Sequence, residues 1–161
     1  MVTELPVRIE FRLPEGWQAA PPDEVGAPGV AFVALHPASA NGFTANMTIA
    51  GQVRDPELTM VDIADESVRR LEETASSVQV RKRVEVGSAQ APGITQVLDI
   101  TLGAEQEIVQ CQVYVSMHDV EDPERRAVLE FMLTCTEAQL DDVFEDFQEF
   151  VRTVRAAEPG Q

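Results

Sequence analysis

Every second residue from Val109 to Met117 is apolar: Val109, Cys111, Val113, Val115 and Met117. Between them stand Gln110, Gln112, Tyr114 and Ser116. The alternation returns in Ala127, Leu129, Phe131, Leu133 and Cys135. Period two sends successive side chains to opposite faces of a strand, so these segments require a sheet with one face on a core. Parallel strands covered on both faces would read as continuous apolar runs. The chain is therefore expected to be α+β, with an antiparallel sheet covered by helices on one face and open to solvent on the other.

The remaining segments fit that scheme. Val7, Ile9, Phe11 and Leu13 alternate with charged residues and predict a first strand, closed by the turn Pro14-Glu15-Gly16-Trp17. The prolines and glycines from Ala20 to Gly29 make a loop. Val30–Leu35 and Phe43–Val53 predict two further strands. Val78, Val80, Val84 and Val86 share a face of the next one, with Lys82 as an exception near an edge, and Ile94, Leu98, Ile100 and Leu102 share a face of the one after it.

Two helices carry a 3.6-residue period. In the first, Met60, Val61, Ala64, Val68, Leu71 and Ala75 form the apolar stripe, Ile63 falls on the polar side, and Thr59 with Asp62 caps the start. Asp65 with Arg69 and Glu66 with Arg70 are spaced for i,i+4 pairs. The second has the sharper signal. Thr136 and Gln139 form a capping box, Leu140, Val143, Phe144, Phe147, Val151 and Val154 recur at three and four with Phe150 beside them, and Arg152 and Arg155 close the last turn. Residues 1–161 are read as one domain, with a core from about residue 6 to residue 155.

Charge narrows the choice of partner. Twelve Lys and Arg against 28 Asp and Glu give a net charge of -16. That opposes binding to nucleic acid and to anionic membrane leaflets, and suits a basic protein partner or solubility alone. No segment approaches the length and apolarity of a membrane-spanning helix. The N-terminus lacks the basic and apolar regions of a signal peptide, so a cytoplasmic location is expected, or a secreted form if a leader was removed.

Residue chemistry gives no catalytic set. His36 and His118 are the only histidines and are not spaced as a metal pair. Asp119, Glu121, Asp122 and Glu124 lack the spacing of a calcium loop and read as a solvated hairpin tip. Cys111 and Cys135 have core parity and are expected to be free thiols. Ser116 stands near His118 and Asp119 with nothing to form an oxyanion hole. No cofactor motif is present and none is expected. Arg81-Lys82-Arg83 is either a protected strand edge, with Arg81 and Arg83 on its outward face, or a site for an acidic partner. Trp17 either plugs one end of the core or serves as an exposed platform. The candidate binding residues are Asp142, Glu145 and Glu149 on the acidic face of the last helix, and Tyr114 among the polar residues of a flat sheet face.

Several of these segments also carry a resemblance. Phe11-x-x-Pro14-x-Gly16-Trp17 resembles the opening of the PsbP-like superfamily. The run Asn41-Gly42-Phe43-Thr44-Ala45-Asn46-Met47-Thr48-Ile49 is similar to the central strand of its actinobacterial LpqN-like group. Phe131–Thr136 and the helix with Phe144, Phe147 and Phe150 are similar to its end. The resemblance implies an α/β/α-like sandwich and binding rather than catalysis. The expected function is a non-enzymatic protein-binding or chaperone-like adaptor, with a homodimer as an open alternative. A small-ligand carrier or accessory subunit with a pocket between helix and sheet is the second reading, and an enzyme of unknown type a remote third.

Overall fold

The computed structural model describes residues 9–21, 30–37, 43–88, 91–103, 106–118 and 126–156. The predicted strand start at Val7 and the acidic tip Asp119–Glu124 lie outside the described residues. Among the described residues, nine strands and two helices follow in the order β1 (Ile9–Glu10), β2 (Gln18–Ala20), β3 (Phe32–Leu35), β4 (Asn46–Arg54), α1 (Met60–Glu72), β5 (Ser77–Gly87), β6 (Pro92–Leu102), β7 (Gln106–His118), β8 (Arg126–Cys135), α2 (Glu137–Thr153) and β9 (Arg155–Ala156).

Seven strands form one antiparallel sheet in the order β2-β3-β4-β8-β7-β6-β5. Helix α1 carries the chain from the interior strand β4 to the far edge at β5, and the meander β5–β8 returns it to β4. The short strands β1 and β9 pair with each other apart from this sheet. Within the described part of the predicted first strand, Ile9–Glu10 pairs as a strand, while Phe11 and Leu13 pack against the core.

The two helices cover opposite faces of the sheet, which corrects the expectation of one solvated face. Val143, Phe147 and Phe150 of α2 are buried with Met47, Ile49, Cys111, Leu129, Phe131 and Leu133. Met60, Ile63 and Ala64 of α1 are buried with Ile94, Tyr114 and Val128, which have the other parity. The glutamines and serine between the apolar residues of β7 are thus interior, and read as solvated only because they are polar.

Local signals placed both helix starts. Thr59 and Asp62 form a reciprocal capping box, as do Thr136 and Gln139. The buried side of α1 is rotated from the expected stripe: Ile63 is buried and Val61 exposed. In α2, Phe147 and Phe150 are buried, whereas Phe144 and Val151 are only half-buried along the helix flank. Trp17 is buried, and its indole N–H donates to Asp146 Oδ2 at 3.0 Å, so the plug reading holds.

Cys111 and Cys135 are free and buried. Cys111 faces Leu133 across the β7–β8 pair and Cys135 faces Val109, which sets the sulfurs on a diagonal rather than opposite each other. Burial pushes the Cys111 thiol up to about 11 and Cys135 up to about 12, so little thiolate exists at neutral pH. Neither thiol is expected to react with a maleimide in the native state, and both should react in denaturant without reductant, read by intact mass. Rapid native labelling would contradict this packing.

Candidate functional site

The basic cluster on β5 is split by a β-bulge. The register against β6 shifts between Val80 and Lys82. An inserted residue moves everything after it to the other face. Val78 and Val80 therefore share a face with Ile100 and Leu98, while Val84 pairs with Thr95 on the α2 side. Arg81 and Arg83, expected on one outward face, diverge. Arg81 forms 2.5 Å contacts with both Asp99 of β6 and Glu137 at the start of α2. Arg83 turns under α1 and meets Asp65 at 2.7 Å. Each arginine ties the sheet edge to a different helix.

A cleft of about 440 Å³ opens where Arg81 lies, between the first turn of α2 and strands β5 to β7. Ser77, Gln79, Asp99, Thr101, Glu107 and Glu137 give it a hydrophilic wall. Sequence reading missed these residues, because the bulge and the helix start that bring them together lie far apart along the chain. Among the described residues no group of three His, Cys, Asp or Glu side chains could hold a metal ion.

The opposite face holds a hydrogen-bonded chain. Gln110 Nε2 donates to Thr134 Oγ1 at 3.1 Å, Gln112 Nε2 to Gln110 Oε1 at 2.6 Å, and Gln96 Nε2 to Gln112 Oε1 at 2.7 Å. Arg83 then donates twice to Gln96 Oε1, at 3.0 and 2.8 Å. The series crosses four strands and ends on α1 at Asp65. Expected i,i+4 pairs within α1 give way to sheet partners: Asp65 takes Arg83, and Glu66 takes Arg54 at 2.5 Å. A helix lying on a sheet offers its flanking acids to strand arginines less exposed than those on its own surface.

Tyr114 is corrected as a surface candidate. It is 0% exposed beneath α1, and its hydroxyl sits beside Ser67 without a well-formed hydrogen bond. Ser116 accepts from Arg126 Nε at 2.7 Å, which fixes its hydroxyl in a structural role. Arg126 also donates to the backbone oxygens of Leu58 and Asp55, clasping the link into α1. Burial lowers the Arg126 pKa, with Arg54 adding to the effect.

Glu130 lies near Tyr114 and is also buried. Burial raises its carboxyl pKa, against the pull of Arg70 and Arg54 and with help from Glu66. A raised carboxyl pKa means that the folded chain keeps this proton to higher pH than the unfolded chain. The stability it brings is complete below the unfolded pKa and is lost as pH rises through the folded one. Glu130→Gln should therefore raise the unfolding free energy at neutral pH, and the gain should vanish below the ordinary glutamate range. Urea titrations across pH would measure it, and a destabilised variant at pH 7 would refute it.

The acidic face of α2 stands clear of both systems. Asp141, Asp142, Glu145 and Glu149 are exposed, whereas Asp146 is taken by Trp17 and Glu137 by Arg81. Among the described residues, Glu149 has a 3.5 Å contact with Arg152 on the same helix.

No family model matches the chain, and no curated protein does. Solved structures share its fold. LpqN, involved in cell envelope biogenesis of Mycobacterium tuberculosis, aligns with a TM-score of 0.67 at 8% identity over 93% of this chain and 83% of its own. Cyanobacterial PsbP from Synechocystis sp. PCC 6803 aligns at 0.65 and 14% identity over 92% and 86%. The Saccharomyces cerevisiae Ran-binding protein Mog1p aligns at 0.56 and 12% identity over 92% and 89%. The resemblance to PsbP-like proteins thus holds at the level of fold, and identities this low do not single out one group within it.

These comparisons overturn the cytoplasmic expectation. The structures sharing the fold include a protein of cell envelope biogenesis and a cyanobacterial PsbP. The expectation rested on the start of the sequence, which carries no such conclusion. Among the described residues no helix is long and apolar enough to cross a membrane.

Proposed function

We propose that this protein is a non-enzymatic binding adaptor whose acidic α2 face meets a basic protein partner. The observation that carries this reading is the set of exposed carboxylates Asp141, Asp142, Glu145 and Glu149. Helix packing uses the opposite side of α2, so the fold does not need four acids there. Asp141 with Glu145 and Glu145 with Glu149 are like-charged i,i+4 pairs that oppose the helix slightly. A cationic surface would relieve that repulsion and be drawn to it at long range. The Ran-binding protein of the same fold supports protein binding as a role this architecture can serve.

Affinity capture followed by association kinetics with the captured protein tests the reading. Replacing Asp142, Glu145 and Glu149 by Asn, Gln and Gln should slow association and leave the fold intact. Salt above about 0.1 M should slow the parent protein in the same way, because the screening length falls to about 10 Å. Association indifferent to both changes would refute the proposal. The second reading, a small polar ligand in the cleft beside Arg81, is favoured by that cleft's hydrophilic wall and would appear as binding lost in Arg81→Ala.

A further inference from the structure

Strand β5 ends the seven-stranded sheet, and among the described residues nothing pairs with its outer edge. It is 11 residues long. Three of the five exposed large hydrophobic side chains among the described residues, Val80, Val84 and Val86, lie on it. Such an edge is a template for another strand unless something blunts it. The bulge and Lys82 do blunt it, but only at its middle. From Lys82 to Gly87 the strand keeps one unbroken register against β6.

The backbone groups that this stretch leaves free can be assigned. Ser88 N–H donates to Ala91 O at 3.2 Å across the β5–β6 hairpin. Antiparallel pairs alternate between bonded and unbonded, so Val86 with Gly93 and Val84 with Thr95 are bonded pairs. The N–H and C=O groups of Arg83 and Glu85 therefore point away from β6, toward the open edge.

We propose that β5 pairs antiparallel with β5 of a second copy, about a two-fold axis at Val84, joining two sheets edge to edge. In this register Arg83 and Glu85 of each chain exchange backbone bonds with Glu85 and Arg83 of the other. Opposite charges then face each other twice, and Val84 meets its own copy across the axis. Three neighbouring registers are opposed by charge. An axis at Lys82 sets Lys82 against itself and Arg81 against Arg83. An axis at Arg83 sets two Arg83 side chains together, and one at Glu85 does the same to two carboxylates. Like charges directly opposite destabilise a sheet pair. With the axis at Val84, exposed Val86 lies beside the Lys82 stem, which covers apolar surface while its ammonium stays in water.

Self-pairing brings two chains of charge -16 together, so it should strengthen with salt. Binding through the acidic α2 face should weaken with salt, which separates the two proposals. Sedimentation of the full chain at rising protein concentration, in low salt and in about 0.5 M salt, is the test. A two-chain mass favoured at high salt is expected. Glu85→Pro removes only an outward N–H, which an edge strand tolerates, and should block pairing. Val84→Lys sets two ammonium groups at the axis. Each variant should raise the dissociation constant by about tenfold or more while circular dichroism and Trp17 emission keep the native form. A parent protein of single-chain mass at every concentration and salt would overturn the proposal. So would a dimer that survives both substitutions unchanged.

Discussion

Phe147→Ala should destabilise the protein by about 3–5 kcal/mol. Phe147 is 2% exposed at the centre of the α2 contact, among side chains from β4, β7 and β8. Truncation removes the transfer energy of the ring and leaves a cavity that close-packed neighbours fill only in part. Phe131 and Phe150 meet edge to face with centroids 6.4 Å apart, which restricts how far they can close in. Chemical unfolding followed by Trp17, the single tryptophan, would report the change. A loss below about 1 kcal/mol would contradict this placement of α2. Phe144→Ala, on the half-buried flank, should cost less.

Gln96→Leu should cost about 2–4 kcal/mol, although leucine is apolar and similar in size. Gln96 is 1% exposed and joins four partners: Gln112, two nitrogens of Arg83, and the carbonyl of Ala64 on α1. Removing it leaves Gln112 Oε1 short of a partner in a dry setting, where an unmade bond costs more than a made one returns, and takes two bonds from the half-buried Arg83 guanidinium. The double variant Gln96→Leu with Gln112→Leu should be less destabilised than the sum of its parts, since two apolar side chains then face each other. A double-mutant cycle would measure the coupling, and strict additivity would show that the two amides act independently.

Both effects arise from α/β/α layering, and the two sides differed in how legible they were. The α2 side could be read directly. Its helix carries a capping box and a stripe that repeats within eighteen residues of Thr136, and the strands beneath it alternate without interruption. These are local signals, set by the pitch of a helix and the pleat of a strand. The α1 side was misread because many of its inward residues are amides, hydroxyls and a carboxylate, set among apolar ones such as Ile94 and Val128. Gln96, Gln110, Gln112, Tyr114, Ser116 and Glu130 have the polarity of a solvated face. For the three glutamines and Ser116, hydrogen bonds to one another and to Thr134, Arg83, Arg126 and α1 offset the cost of burial, and those partners come from β5, β6, β7, β8 and a helix.

By itself the sequence determined the α+β class, the four strands β5 to β8 of an antiparallel sheet, both capped helix starts, and the buried thiols, since each depends on neighbours a few positions away. Tertiary structure decided the rest. The sheet order places β8 between β4 and β7, and the helices divide between its two faces. One extra residue between Val80 and Lys82 sends Arg81 to α2 and Arg83 to α1. Alternation counts residues along a strand but cannot show where the partner strand skips one, because a bulge exists only as a mismatch between two strands.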